Sequence, residues 1–210
     1  MQSEPTVFIV DDDPAARDSV AALVSSKGMP VETFQSGEEF LKGFDSSRLG
    51  CVVADVHMGG MTGLDLQESL GKRGARLPVV LITGYGDIPT AVRAMAAGAF
   101  TFLEKPCRDH ELWGTIRKAL QWAAERQLEE TRRADAQKRL AQLTPDEHRV
   151  MAAMVGGKSN KIIAQELDVG LRTIESRRAS VLRKMQAESL ADLVRIVLLA
   201  GDEAHVDPAS

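Results

Sequence analysis

Asp11, Asp12 and Asp13 follow the β-branched apolar run Thr6 to Val10, and Asp55 follows a second apolar run, Cys51 to Ala54. Thr83-Gly84 follows a third run, Val79 to Ile82, and Lys105-Pro106 a fourth, Phe100 to Leu103. If the runs are strands of one parallel sheet, all four polar features lie at its carboxyl edge, where ligands collect. Carboxylates gathered there repel one another and raise each other's pKa unless a divalent cation sits among them. A few hard oxygen donors, with room left for water and phosphate oxygens, suit Mg²⁺ or Mn²⁺. A carboxylate beside such an ion can attack phosphorus, while an ammonium and a hydroxyl stabilise the transferring oxygens. Asp55 is then the phosphate acceptor, Asp11 and Asp12 its acidic neighbours, Lys105 the ammonium and Thr83 the hydroxyl. Each feature alone has an ordinary explanation: acidic runs cap helices, Lys-Pro is a surface turn, and Thr often ends strands. Their joint placement favours the chemistry.

The elements that must position these groups alternate in type. After the strand Thr6 to Val10, Pro14 suits a first helical position, and Ala15, Val20, Leu23 and Val24 recur at helical spacing until Lys27-Gly28. Val31 to Phe34 is a strand, and Ser36-Gly37-Glu38-Glu39 opens a helix through Phe40, Leu41 and Phe44. Helices are expected near Leu64 to Leu70, from Ile88 to Ala97, and after Pro106. Five strands alternating with helices predict an α/β domain with a doubly wound parallel sheet, because parallel neighbours need crossover connections. Ile9, Val52, Val80 and Leu81 are core candidates, and Phe102 by itself reads as core too.

The chain has 210 residues, 44% hydrophobic, enough for two ordinary domains. No basic-then-apolar leader and no apolar run of about 20 residues is visible, which argues against export and membrane insertion. Two cysteines, Cys51 and Cys107, make no disulfide framework, and the four histidines lack zinc-ligand spacing. A reducing cytoplasm is the expected location. The net charge of -4 conceals an acidic beginning and a basic later segment. Gly84-Tyr85-Gly86 lacks the third glycine of a dinucleotide fingerprint and is a weak nucleotide signal.

From Asp109 to Gln142 the chain is helical in pattern. Glu125 to Arg139 is mostly charged, with alternating signs, so a solvated helical linker is expected rather than a coiled coil, whose heptad signal is too brief. Leu143-Thr144-Pro145-Asp146-Glu147 is a helix start with a Thr cap, Pro first and Glu three residues after the Thr. That helix stops at Gly156-Gly157, and Ser159-Asn160 caps the next, with Ile162, Ile163, Ala164 and Leu167 as its apolar face. Asp168-Val169-Gly170 is a turn before a helix from Leu171 to Met185, held inward by Ile174, Val181, Leu182 and Met185. Two short helices joined by a Gly-containing turn, the second carrying Arg172, Arg177, Arg178, Arg183 and Lys184, fit a helix-turn-helix that neutralises DNA phosphates.

Phe8-Ile9-Val10-Asp11-Asp12-Asp13, Asp55 followed by Met58, Gly60, Met61 and Gly63, Ile82-Thr83-Gly84, and Phe102-Leu103-Glu104-Lys105-Pro106 together resemble the receiver domain of bacterial two-component response regulators. The resemblance covers about the first 120 residues. It implies a flavodoxin-like fold, phosphorylation of Asp55 by a sensor histidine kinase, and metal binding by Asp11, Asp12, Asp55 and the backbone carbonyl of His57. Thr83 and Phe102 correspond to the family's switch pair, and Lys105 to its phosphate-stabilising lysine. Gly59 stands where the family usually has proline, so a more flexible loop is expected, and His57 brings a titratable side chain to the rim.

Residues Leu143 to Val197, especially Asn160-Lys161-Ile162-Ile163-Ala164, Arg172-Thr173-Ile174-Glu175 and Ser189-Leu190-Ala191-Asp192-Leu193-Val194, resemble the all-α, four-helix LuxR-type DNA-binding domain. The whole chain is similar to the FixJ branch. That resemblance puts Glu175, Ser176 and Ala179 at groove-facing sites, and Asn160, Lys161, Thr173, Arg178 and Lys184 at phosphate contacts. Arg177 stands where the family often has His, and Ser176 where it often has Val. The organisation implied is a receiver over 1–122, a helical linker over 123–142, a DNA-binding domain over 143–200 and a disordered tail over 201–210. Phosphorylation is then expected to move Thr83, let Phe102 fill the vacated space, favour a homodimer, and bring promoter DNA and RNA polymerase under control. The competing readings are a DNA-binding protein with an inert receiver, and a phosphotransferase or phosphatase for which no substrate pocket is visible.

Overall fold

A computed structural model describes residues 4–84 and 88–201, without the side chain of Ile88. Tyr85 and Gly86 of the glycine-flanked fragment, and the tail from Asp202 to Ser210, lie outside the described residues. The chain divides into two compact units between Gln127 and Leu128.

In the first unit β1 (Thr6–Val10), β2 (Val31–Phe34), β3 (Gly50–Asp55), β4 (Val79–Thr83) and β5 (Thr101–Glu104) alternate with α1 (Pro14–Ser26), α2 (Gly37–Gly43), α3 (Gly63–Lys72), α4 (Ile88–Ala96) and the start of α5 (Asp109–Leu140). The strands form one parallel sheet in the order β2-β1-β3-β4-β5. The chain leaves β1 to one side and returns for β3 on the other, so the topological switch point lies between those two strands.

Every residue of β1, β3 and β4 is buried, as a sheet covered on both faces requires. Phe8, Val10, Val52, Ala54 and Leu81 meet Phe40, Leu41, Leu66, Leu70 and Ala94 on one face. Val7, Ile9, Val53, Val80 and Ile82 meet Val24, Leu112, Ile116 and Ala119 on the other. Cys51 is buried on this second face, and desolvation pushes its thiol up to about 12. Cys107, after β5, is only half-buried; burial raises its pKa as well.

Local caps set the helix starts: Pro14 and Ser36 stand where the sequence implied, while the caps from Asp13, Thr62 and Asp65 come from the structure. Asp13 caps α1 with Pro14 at its first turn, Ser36 caps α2, and Thr62 and Asp65 form a capping box on α3.

The second unit has its own core. Within it, α6 (Pro145–Val155), α7 (Asn160–Glu166), α8 (Leu171–Met185) and α9 (Leu190–Ala200) enclose Val150, Met151, Met154, Ile163, Ile174, Val181, Met185, Leu193 and Val197. Thr144 and Glu147 form the expected capping box, Pro145 opens α6, and Ser159 and Ser189 cap α7 and α9.

Two expectations need correction. The stretch 123–142 is no purely solvated linker: Ala123 is buried, and Ala136 and Leu140, four residues apart on one helical face, enter the second core. Their stripe is narrow enough to be masked by the alternating charges around it. On α7, Ile163 is fully buried, but Ile162 remains exposed, so the apolar face is narrower than the sequence implied.

Candidate functional site

Val10 registers with Ala54 across the switch point, so Asp11 and Asp55 emerge side by side from neighbouring strands. Both are buried, at 6% and 8% exposure, whereas an unpaired buried carboxylate would be costly. Lys105 supplies the pairing: its Nζ donates to Asp11 Oδ2 at 3.0 Å and to Asp55 Oδ1 at 2.7 Å. The lysine reaches them because its own N–H donates to the carbonyl of Thr83 at 2.7 Å, which fixes the turn after β5 against β4. Burial disfavours its charge, but the hydrogen bonds and attraction from Asp55 and Asp11 outweigh that and raise its pKa above the ordinary lysine value. The ammonium is therefore a permanent charge at physiological pH.

The second oxygen of Asp55 is also held, accepting the backbone N–H of His57 at 2.6 Å. Gly63 sits so close behind that a Cβ there would lie 2.4 Å from the Asp55 carbonyl oxygen and 2.9 Å from Leu81 Cδ2, so only glycine fits this approach. Asp11 Oδ1 accepts the N–H of Asp13 at 2.9 Å, and its carbonyl accepts from Arg17 at 2.7 Å. Asp12 is exposed and turns to the loop after β3, where Oδ2 accepts the N–H of Gly59 at 2.8 Å. A proline at Gly59 would have no N–H to offer, so the departure expected to loosen this loop instead supplies one of its anchors.

Thr83 is fully buried at the end of β4, and its Oγ1 lies 3.1 Å from Nδ1 of His57. Phe102 is half-buried on β5, packed against the core face that holds Leu81. The structure thus brings Asp11, Asp55, Lys105, Thr83 and His57 together at the carboxyl edge, with Asp12 at the rim. The His57–Thr83 hydrogen bond had no sequence signal beyond the unusual histidine.

Asp11, Asp12, Asp55 and the His57 carbonyl are hard oxygen donors, and a carboxylate oxygen that accepts one hydrogen bond keeps a second lone pair. This set fits a small divalent cation by its chemistry. Among the described residues, however, no three His, Cys, Asp or Glu side chains form a metal-ligating group by themselves. Lys105 bridges two of the carboxylates, and the third faces Gly59.

In the second unit α8 divides cleanly by helical spacing. Ile174, Val181 and Met185 are buried, while Arg172, Glu175, Ser176, Ala179 and Arg183 are exposed along the opposite side. Thr173 and Lys161 are also exposed, and Asn160 and Arg178 are half-buried. The sequence-predicted groove-facing residues are therefore accessible. Two predicted basic contacts are engaged inside the domain instead: Arg177 pairs with Asp146, and Lys184 Nζ donates to Glu147 Oε2 at 2.6 Å and to the Gln142 carbonyl at 3.1 Å. Glu147 also accepts from Ser180 Oγ at 2.7 Å and from the Thr144 N–H at 2.8 Å. Lys184, Thr144 and Ser180 together hold its carboxyl down at a pKa of about 2. Lys184 thus anchors α8 to α6, a role invisible in sequence because its partner lies 37 residues away.

This arrangement, an acid cluster closed by a lysine at the switch point of a five-stranded parallel sheet, joined in one chain to a helix-turn-helix unit, defines a class. The chain matches the response regulator receiver domain over residues 7–117 and the bacterial regulatory proteins of the luxR family over residues 141–197. It belongs to the two-component response regulators with a LuxR-type DNA-binding domain, and its relatives place it among those similar to FixJ. The transcriptional regulatory protein FixJ of Bradyrhizobium diazoefficiens is 41% identical over 201 residues, covering 96% of this chain and 98% of that protein. The response regulator protein TodT of Pseudomonas putida is 39% identical over 190 residues, covering 90% and 84%. Among solved structures, that of the response regulator StyR superposes with a TM-score of 0.86 at 39% identity, covering 93% of this chain and 99% of that one. No helix among the described residues is long and apolar enough to cross a membrane.

Proposed function

We propose that this response regulator is a phosphorylation-gated transcription factor, phosphorylated on Asp55 by a sensor histidine kinase. The observation that carries this reading is the bridge of Lys105 between Asp55 and Asp11. It holds a nucleophilic carboxylate in fixed orientation and sets a permanent positive charge beside the position the transferring oxygens would occupy. A lone pair of Asp55 forms the new P–O bond while the P–N bond of the kinase's phosphohistidine breaks, its electron pair leaving with the imidazole. Asp11, Asp12, Asp55 and the His57 carbonyl would hold Mg²⁺ or Mn²⁺, which neutralises charge on the phosphoryl oxygens. The acyl phosphate adds a charge of roughly -1.5 to -2, which draws the Thr83 hydroxyl and leaves space for Phe102.

The exposed Leu190, Leu198 and Leu199 on α9 support pairing of two DNA-binding units. Two copies of α8 would then read half-sites about 34 Å apart, one helical turn. Glu175, Ser176 and Ala179 face bases, with Asn160, Lys161, Arg172, Thr173 and Arg178 near phosphates. RNA polymerase acts at the promoter so bound.

Incubation with acetyl phosphate and Mg²⁺ tests this. Wild type should gain one hydroxylamine-sensitive phosphoryl group, form dimers and footprint its promoter more tightly, and Asp55→Asn should do none of these. If that variant binds DNA as the phosphorylated wild type does, the receiver is inert and the reading fails.

A further inference from the structure

We infer that His57 is a positioning residue that latches Thr83 in the unphosphorylated state and so sets the threshold for switching. This rests on the phosphorylation reading above. Thr83 is fully buried, and Oγ1 lies 3.1 Å from His57 Nδ1. His57 follows Asp55 by two residues, and its backbone N–H is fastened to Asp55 Oδ2 at 2.6 Å. The imidazole is thus carried on a backbone tied to the phosphoacceptor, and it stands at the one hydroxyl expected to recognise the phosphoryl group.

A threonine hydroxyl has a single proton to donate. Where it donates to Nδ1, a phosphoryl oxygen must take that proton from the imidazole; where Nδ1–H donates to Oγ1, the oxygen must still leave that partner to move. In both arrangements switching breaks the His57–Thr83 bond first. The latch therefore opposes occupancy of the phosphorylated geometry by about fivefold, the equilibrium factor of one ordinary intramolecular hydrogen bond. The exposed position of His57 lets its side chain be changed without opening the core.

The test uses the full chain with Mg²⁺ and beryllofluoride, with half-saturation measured by calorimetry. His57→Leu should lower the half-saturating concentration about fivefold, and His57→Asn, which keeps a hydrogen-bonding atom near the Nδ1 position, should return it toward wild type. In a Thr83→Val background the same His57→Leu change should have no effect, because the coupling is lost. The imidazole ¹⁵N signals of His57 should also shift between wild type and Thr83→Val. Equal half-saturation in wild type and His57→Leu, or the same His57→Leu effect in both backgrounds, overturns the latch alone. Failure of wild type to take up beryllofluoride overturns both the latch and the phosphorylation reading.

Discussion

Replacing Glu147 by glutamine should weaken the second unit in a manner set by pH. The carboxylate accepts hydrogen bonds from Lys184, Ser180 and the Thr144 backbone, and its pKa falls from 4.5 to about 2. At about 1.4 kcal/mol per pKa unit the depression is equivalent to roughly 3 kcal/mol. Because 29% of the Lys184 side chain stays in water, screening reduces this to about 1 to 2 kcal/mol. The folded pKa lies below the unfolded one. The contribution is therefore complete above the unfolded value of 4.5 and fades as pH falls toward the folded value of about 2.

Glutamine keeps the shape without the charge, so the deficit of Glu147→Gln at pH 7 should narrow as the solution is acidified from about pH 5 to about pH 3. Trp113 and Trp122 both belong to the first unit, so fluorescence would report the wrong half. Urea titration followed through ¹³C-methyl signals of the buried Met151, Met154 and Met185 reads the right one. A deficit that is constant with pH, or that widens on acidification, would refute the assignment of Glu147 as the charged anchor of α8.

Three further outcomes follow from the same geometry. Gly63→Ala puts a methyl group against the Asp55 carbonyl and Leu81; it should cost about 1–3 kcal/mol by urea titration of the tryptophan fluorescence and lower acetyl phosphate uptake. Leu140→Ala should cost the second unit about 2–4 kcal/mol, whereas Leu128→Ala, at a half-exposed position, should cost under about 0.5 kcal/mol in the same methionine-methyl assay. In DNA titrations against salt, Arg178→Gln should flatten the slope of log K on log[salt] by about 1 per protomer, while Lys184→Gln should leave the slope unchanged and lower thermal stability.

Much of the fold was legible because parallel sheets write themselves as short apolar runs and because caps act locally. Thr6 to Val10 and Val31 to Phe34 are the observed β1 and β2, and Thr144, Pro145 and Glu147 start α6 as read. Strand order was not legible from alternation, since crossover connections permit several orders; the register of Val10 with Ala54 was needed to set Asp11 beside Asp55. Side-chain partners over long separations were hidden for the same reason. A basic residue on an amphipathic helix looks alike whether it faces a phosphate or a carboxylate, and Lys184 and Arg177 meet carboxylates on α6. Ala136 and Leu140 were hidden differently, because two small or isolated apolar residues barely register among charges, although a packed core needs only their one stripe.

The contrast between the two thiols gives the protein a built-in attachment point. Maleimides react with thiolates, and Cys51, sealed inside the sheet with its pKa near 12, offers almost none in the native state. Cys107, two residues beyond Lys105, also has a raised pKa but is partly accessible, so it should take up a fluorophore in preference to the sealed Cys51. A dye there would be attached two residues along the chain from the lysine that bridges Asp11 and Asp55, with no engineered cysteine, a native position from which to follow occupancy of that cluster in real time.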